Sequence, residues 1–252
     1  MLKKMSLLLS TGALILAAAP ALAAPPPGFV GTLSGAYGWS NCNGCGSSDA
    51  WSIGGSGAFG LGMSDFAAQV DASYSSVADI DLFGVGGSVY WAPAMGRAGL
   101  TVSWTSADEG GADFDSYSYG LFGDYFISDA VTLAAKGGGV TVNVDTFGGS
   151  ASETGAYVGG ALIGYLIPNL AIQADVTYIS VGVSDGTSFG VGAEYLVSNA
   201  IPISIFGGYS RSSGEVDTWL IGVRVYAGPA GMTLVEKHRN GTLGWAGSVI
   251  TP

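Results

Sequence analysis

The sequence predicts an all-β fold: an antiparallel, up-and-down transmembrane β-barrel of about twelve strands. Three observations predict it: a leader marking the chain for export, no later apolar run long enough for a membrane helix, and a succession of alternating stretches separated by two kinds of turn. The leader, MLKKMSLLLSTGALILAAAPALA, sets Lys3 and Lys4 before an apolar run and closes on Ala21-Leu22-Ala23. That pattern is a secretory signal peptide cleaved after Ala23, since its apolar stretch is too short to span a bilayer. Residues 1–23 are therefore leader, 24–28 a Pro-rich linker, 29–227 the barrel, and 228–252 a C-terminal periplasmic tail or lumen plug. Without a membrane helix, only a closed sheet satisfies its own backbone groups in lipid.

Composition agrees, with 43 Gly beside 12 Tyr, 10 Phe and 6 Trp, while charged residues reach only 11%. Loss of Lys3 and Lys4 takes the 8 basic residues to 6 against 19 acidic ones, a net −13. Such a balance excludes nucleic acid as a partner. A hydrophobic fraction of 48% excludes acidic disorder.

The short turns are MSDF (63–66), PAMGR (93–97), ISDA (127–130), IPN (167–169) and VSNAIP (197–202). The longer breaks are acidic and Gly/Ser-rich: NCNGCGSSD from Asn41, SSVADID from Ser75, TSADEGGAD from Thr105, DTFGGSASE from Asp145, SDG from Ser184 and SRSSGEVD from Ser210. The first kind reads as periplasmic turns and the second as external loops. Between them lie strands at roughly 29–40, 50–62, 66–75, 81–92, 97–105, 114–126, 130–145, 153–166, 170–183, 187–197, 201–211 and 216–227. Both termini then fall on the periplasmic side.

Most of these strands reach the ten or so residues that a tilted strand needs to cross lipid. In the sixth, Tyr117, Tyr119, Leu121 and Tyr125 share one face and Ser116, Ser118, Gly120 and Asp124 the other. The ninth sets Ile172, Ala174, Val176 and Tyr178 against Gln173, Asp175 and Thr177. In the tenth, Phe189, Val191, Ala193 and Tyr195 oppose Ser188, Gly190, Gly192 and Glu194. The polar face is Gly, Ser and Thr with an occasional carboxylate, which suits a lumen better than a sheet surface in water. Trp91, Tyr125, Tyr165 and Tyr195 stand beside short turns, as an interfacial girdle requires. In the seventh strand Gly137-Gly138-Gly139 breaks the alternation and reads as a bulge or bend.

The last strand, TWLIGVRVYA from Thr218 to Ala227, sets Gly222 inward and Val225 and Ala227 toward lipid. With the leader and the hairpin meander, it resembles the bacterial outer-membrane β-barrel class, porin-like in kind. It departs from that class in carrying Leu220 where a polar residue is common and in continuing past the strand. The resemblance implies a Gram-negative outer membrane, with its lipid and lipopolysaccharide and the barrel-assembly machinery as partners. It is one of pattern and carries no functional residues.

Cys42 and Cys45 in NCNGC are expected to form a disulfide, because one C-x-x-C pair without neighbouring His lacks the ligands of a metal site. Gly186-Thr187-Ser188-Phe189-Gly190 mimics a nucleophile elbow but is followed by strand, and His238, the single histidine, lies beyond the last strand. Gly55–Gly60 mimics a dinucleotide fingerprint inside an alternating strand. No catalytic residue, metal or cofactor is therefore expected. The inward charges are Asp71, Asp124, Asp175 and Glu194 against Lys136 and Arg224. They predict an acidic lumen passing small solutes or cations, unless they pair across the barrel and brace it. The expected function is a small porin-like channel, with a non-conducting structural or adhesion barrel as the alternative. Oligomeric state and solute are left open.

Overall fold

The computed structural model describes residues 28–42, 46–62, 65–77, 80–109, 112–146, 149–213 and 215–242. The leader, most of the linker and residues 243–252 lie outside this set. Twelve strands follow in chain order: β1 (Phe29–Cys42), β2 (Gly46–Gly60), β3 (Phe66–Val77), β4 (Ile80–Trp91), β5 (Gly96–Glu109), β6 (Ala112–Ser128), β7 (Val131–Thr146), β8 (Gly149–Ile167), β9 (Leu170–Val181), β10 (Ser184–Ser198), β11 (Ile203–Ser212) and β12 (Val216–Ala227). Each pairs antiparallel with its sequence neighbours, and β1 closes the ring on β12 from Gly31↔Ala227 to Cys42↔Val216. One short helix, α1 (Leu234–Asn240), follows β12.

The alternation works as a two-sided membrane sheet. Leu100 on β5 and Leu121 on β6 are cross-strand partners on the outer wall, 62% and 64% exposed. Val102, Val158, Val191 and Ile221 extend the same apolar belt. Soluble monomers do not carry a belt of this extent, so its solvent is hydrocarbon. The opposite parity turns inward and is buried, as Ser116, Ser118 and Asp124 are on β6.

Three features differ from the sequence expectation. The acidic stretches expected to be external loops are mostly strand: β5 runs to Glu109 and β6 begins at Ala112, β7 ends at Thr146 and β8 begins at Gly149. Alternation persists through these segments, so the ladder extends past the belt and the hairpins close on a few residues, as at Val181↔Ser184. Gly137–Gly139 is no bulge, since β7 keeps continuous register there with both neighbours. The glycines instead clear space: a Cβ at Gly138 would sit 2.0 Å from the Tyr119 carbonyl oxygen, and one at Gly120 would sit 2.1 Å from the Tyr157 hydroxyl. The register shifts that do occur lie beside short turns, at Phe126/Ser128, Tyr165/Ile167 and Leu196/Ser198. Thirdly, Tyr165 is buried on the inner wall and takes no part in a girdle, whereas Trp91, Tyr125 and Tyr195 do face outward. Tyr165 shares the parity of the inward residues Ala161 and Ile163, and the shift in register comes only after it.

At the end of the barrel away from the termini, outward aromatics carry an acidic partner. The Trp104 indole donates to Asp115 at 3.0 Å and the Tyr209 hydroxyl to Asp217 at 2.5 Å. Tyr37 is hydrogen-bonded with Asp49 and Tyr74 with Asp81. Each pair stands where an apolar ring meets lipid and its polar tip meets water.

Candidate functional site: the lumen and its terminal helix

The lumen changes character along its length. At the end bearing the chain termini, Tyr90, Phe122, Ile163, Tyr165, Leu196 and Tyr226 form an apolar cluster. Near the opposite end, Val77, Ile80 and Leu82 on one stretch of wall and Val140, Val142 and Val181 on another both pack against Phe114. Arg97, Asp124, Glu194 and Arg224 are set among the first cluster, while Asp71, Lys136 and Asp175 lie further along the wall.

Those charges form pairs. Arg97 and Asp124 are cross-strand partners on β5 and β6, joined through Nη2–Oδ2 at 3.0 Å and Nε–Oδ2 at 3.1 Å. Glu194 on β10 accepts hydrogen bonds from Arg224, Ser204 and the Tyr226 hydroxyl, the last at 2.5 Å. Lys136 lies within electrostatic reach of Asp175, whose Oδ1 also accepts from the Gln173 amide at 3.0 Å. Asp71 accepts from the Gln69 amide at 2.7 Å and is hydrogen-bonded with Ser56. All six sequence-predicted residues thus face inward, and three of the four carboxylates meet a cation. This is the pairing across the barrel that the sequence left open as the alternative to a cation-selective lining. Burial explains it, because an unpaired charge away from water costs several kcal/mol, on the order of magnitude that pairing recovers.

Further cations came from unexpected places. Arg97 belongs to the inward parity of β5 but follows the PAMG turn so closely that it reads as turn. The others come from α1, which enters the barrel instead of trailing from it. The helix begins at a capping box: Thr233 Oγ1 accepts from the Glu236 amide at 3.3 Å, and the Glu236 carboxylate accepts from the Thr233 amide at 2.7 Å. Lys237, His238 and Arg239 fall in its last turn, where cations suit the helix dipole.

The helix touches the wall nearly all the way round. Leu234 packs into the apolar cluster, and the Val235 amide donates to the Pro168 carbonyl, in the β8–β9 turn, at 3.2 Å. His238 Nε2 lies 3.3 Å from Glu194 on β10 and 3.2 Å from the Tyr226 hydroxyl on β12. The Arg239 guanidinium donates to the carbonyls of Ser128 and Val131 and to Thr132 at the β6–β7 turn. From β5, Arg97 donates to the His238 and Gly241 carbonyls at 3.4 and 3.3 Å, filling acceptors left open at the helix end. Thr242 meets Thr32 on β1 at 3.5 Å. His238 and Arg239 are 2% and 0% exposed. A segment that meets β1, β5, β6, β10 and β12 together lies across the lumen.

Other sequence landmarks are placed as follows. Cys42 is the last residue of β1, and Cys45 lies outside the described residues. Ser188 is on β10 toward the end away from the termini, far along the strand from Glu194 and His238. Among the described residues no group of His, Cys, Asp and Glu is arranged to hold a metal ion.

No protein-family model and no curated protein matches the sequence. Solved structures do match in fold. The KdgM porin in complex with disordered oligogalacturonate superposes with a TM-score of 0.57 at 12% identity, covering 77% of this chain and 98% of that one. The translocator domain of the autotransporter NalP from Neisseria meningitidis gives 0.55 at 13%, covering 79% and 88%. The β domain of the Bordetella autotransporter BrkA gives 0.50 at 10%, covering 78% and 98%. Identities this low speak for the fold alone. With its closed twelve-strand ring and apolar outer belt, the chain is a β-barrel of the bacterial outer-membrane type.

Proposed function

We propose that the chain is a small channel of the outer membrane, passing ions or small solutes through the lumen. The observation that carries this reading is the middle of the inner wall, built of Gly, Ser and Thr with Asp71, Lys136 and Asp175 where a filled barrel would pack apolar side chains. The fold likeness to a porin supports it. On this reading the short turns and both termini are periplasmic, Cys42 and Cys45 close the first external hairpin as a disulfide, and lipopolysaccharide flanks the outward aspartates. Assembly would use the barrel-assembly machinery through β12. Any cation preference rests on Asp71, whose hydrogen bonds come from the uncharged Gln69 and Ser56.

A second reading, a non-conducting structural or adhesion barrel, is favoured by the apolar side chains that converge on Phe114 and narrow the far end. Single-channel recording of the refolded protein in planar bilayers separates the two. Discrete conductance steps support the channel. A heat-modifiable, correctly folded band that stays silent both intact and after removal of residues 228–252 overturns it.

A further inference from the structure

We propose that α1 is a releasable gate that closes the terminal end of the lumen when docked and opens it by leaving as a unit. The inference rests on the channel reading above and adds the part that moves.

The geometry favours a separable part over a permanent piece of wall. A helix with its side chains is about 10 Å across, enough to fill the centre of a ring already narrowed by Tyr90, Phe122, Tyr165 and Tyr226. Its contacts with the wall are non-covalent, made by Leu234, His238 and Arg239 and by backbone bonds to Pro168, Asn169 and Arg97. The capping box satisfies part of the first turn of α1 from within the segment itself. The connection to β12 is Gly228-Pro229-Ala230-Gly231, in which Gly228 and Gly231 adopt φ of +134° and +81°. Glycine takes up these angles and others about equally readily, so the two ends of the linker hold α1 in place with little conformational preference of their own. A seven-residue helix is unstable alone in water, so the released segment would unfold rather than hover at the mouth.

The docking contacts are also of a kind that can be undone one at a time. Arg239 reaches the Ser128 and Val131 carbonyls and Thr132 beside the β6–β7 turn, so one substitution takes these wall contacts from α1. Leu234 occupies the apolar cluster as one side chain at the helix start. Loss of one charge-assisted bond shifts a docked-to-released ratio by roughly ten- to a hundredfold.

The test uses the full chain and its variants Arg239→Gln and Leu234→Asp, both outside the strands, with two readouts. Trypsin cleavage at Lys237, located by mass spectrometry, reports release; the open fraction in planar bilayers reports gating. The expected result is a wild type protected at Lys237 and mostly closed, with both variants cleaved at least about tenfold faster and open for a correspondingly larger fraction of time. If the variants release Lys237 and all three proteins conduct alike, the gate is overturned while the channel stands. If release occurs and all three stay silent, the channel reading falls and the gate with it. Continued protection of Lys237 in both variants makes α1 a fixed part of the barrel and overturns the gate.

Discussion

Arg97 stands directly across the ladder from Asp124, and the guanidinium that holds this carboxylate also donates to the last carbonyls of α1. One side chain therefore serves both the wall and the helix. The two partners are not equivalent. Asp124→Asn leaves Arg97 its helix carbonyls, whereas Arg97→Met leaves Asp124 a buried carboxylate without its cation and frees the helix end. The expected cost is about 3–5 kcal/mol for Arg97→Met and clearly less for Asp124→Asn. Midpoints of the heat-induced shift in electrophoretic mobility measure both, and equal losses would contradict the shared role.

Asp71→Asn is expected to reduce cation preference, while Asp124→Asn is expected to leave it nearly unchanged. The reason is charge balance: Arg97 already offsets Asp124, and Asp71 is served by neutral donors. Reversal potentials under a salt gradient give the comparison, and a larger effect at Asp124 would mean that the pair opens in the conducting state.

Docking of α1 should weaken in acid. Burial holds the His238 imidazole below its ordinary value of 6.5, a tendency that Glu194 opposes and Arg224 and Arg97 reinforce; Tyr165 and Tyr226 line the rest of its surroundings. The released segment takes up a proton more readily than the docked one. Docking is thus at full strength above about pH 6.5 and declines as the pH falls below it, by at most about tenfold per pH unit for one proton. Hydrogen exchange of the α1 amides between pH 8 and pH 5, corrected for intrinsic rates, should show the decline in the wild type and a flatter profile in His238→Gln.

How much of this was legible in the sequence depended on the range of the interaction. The period-two pattern of β6, β9 and β10 sets each residue's face by local geometry, so Asp124, Asp175 and Glu194 could be set opposite the apolar face from the sequence. Partners could not, because Arg97–Asp124 and Glu194–Arg224 depend on register across strands. The destination of Lys237, His238 and Arg239 was hidden for the same reason: a short basic stretch after the last strand looks like a tail until the carboxylates and carbonyls awaiting it are in place. The glycines of β7 misled because a missing side chain has no parity to show, and their purpose lies in Tyr119 and Tyr157 on the neighbouring strands.

Four aspartates stand in one row on the outer face, with Asp81 opposite Asp108, Asp108 opposite Asp113, and Asp113 opposite Asp145. Like charges directly across a ladder repel by about 0.2–1 kcal/mol per pair, and Asp113 has two such neighbours. Asp113→Asn should therefore raise the thermal midpoint at low ionic strength, with the gain shrinking in high salt. An unchanged midpoint at low salt would show that the row is already neutralised.

Gly120→Ala and Gly138→Ala should both impair folding, but they should respond differently to a second change. The first clash is with the Tyr157 hydroxyl and the second with the Tyr119 backbone. Adding Tyr157→Phe should recover part of the yield of Gly120→Ala and little of Gly138→Ala, as judged by the fraction of heat-modifiable protein after refolding.

The aromatic residues also measure the membrane. Tyr117, cross-strand partner of Trp104, and Tyr125 both face outward on β6, eight residues apart. At about 3.4 Å per residue and a tilt near 40°, that interval spans roughly 20 Å along the membrane normal. Typical hydrocarbon cores are about 30 Å thick, and the bacterial outer membrane is thinner than average. With the Trp104–Asp115 and Tyr209–Asp217 bonds tying the upper rings to water, the barrel cannot sink to relieve a mismatch. It should insert readily into short-chain lipid and poorly into long-chain lipid, so bilayer thickness itself becomes part of what directs this chain to its membrane.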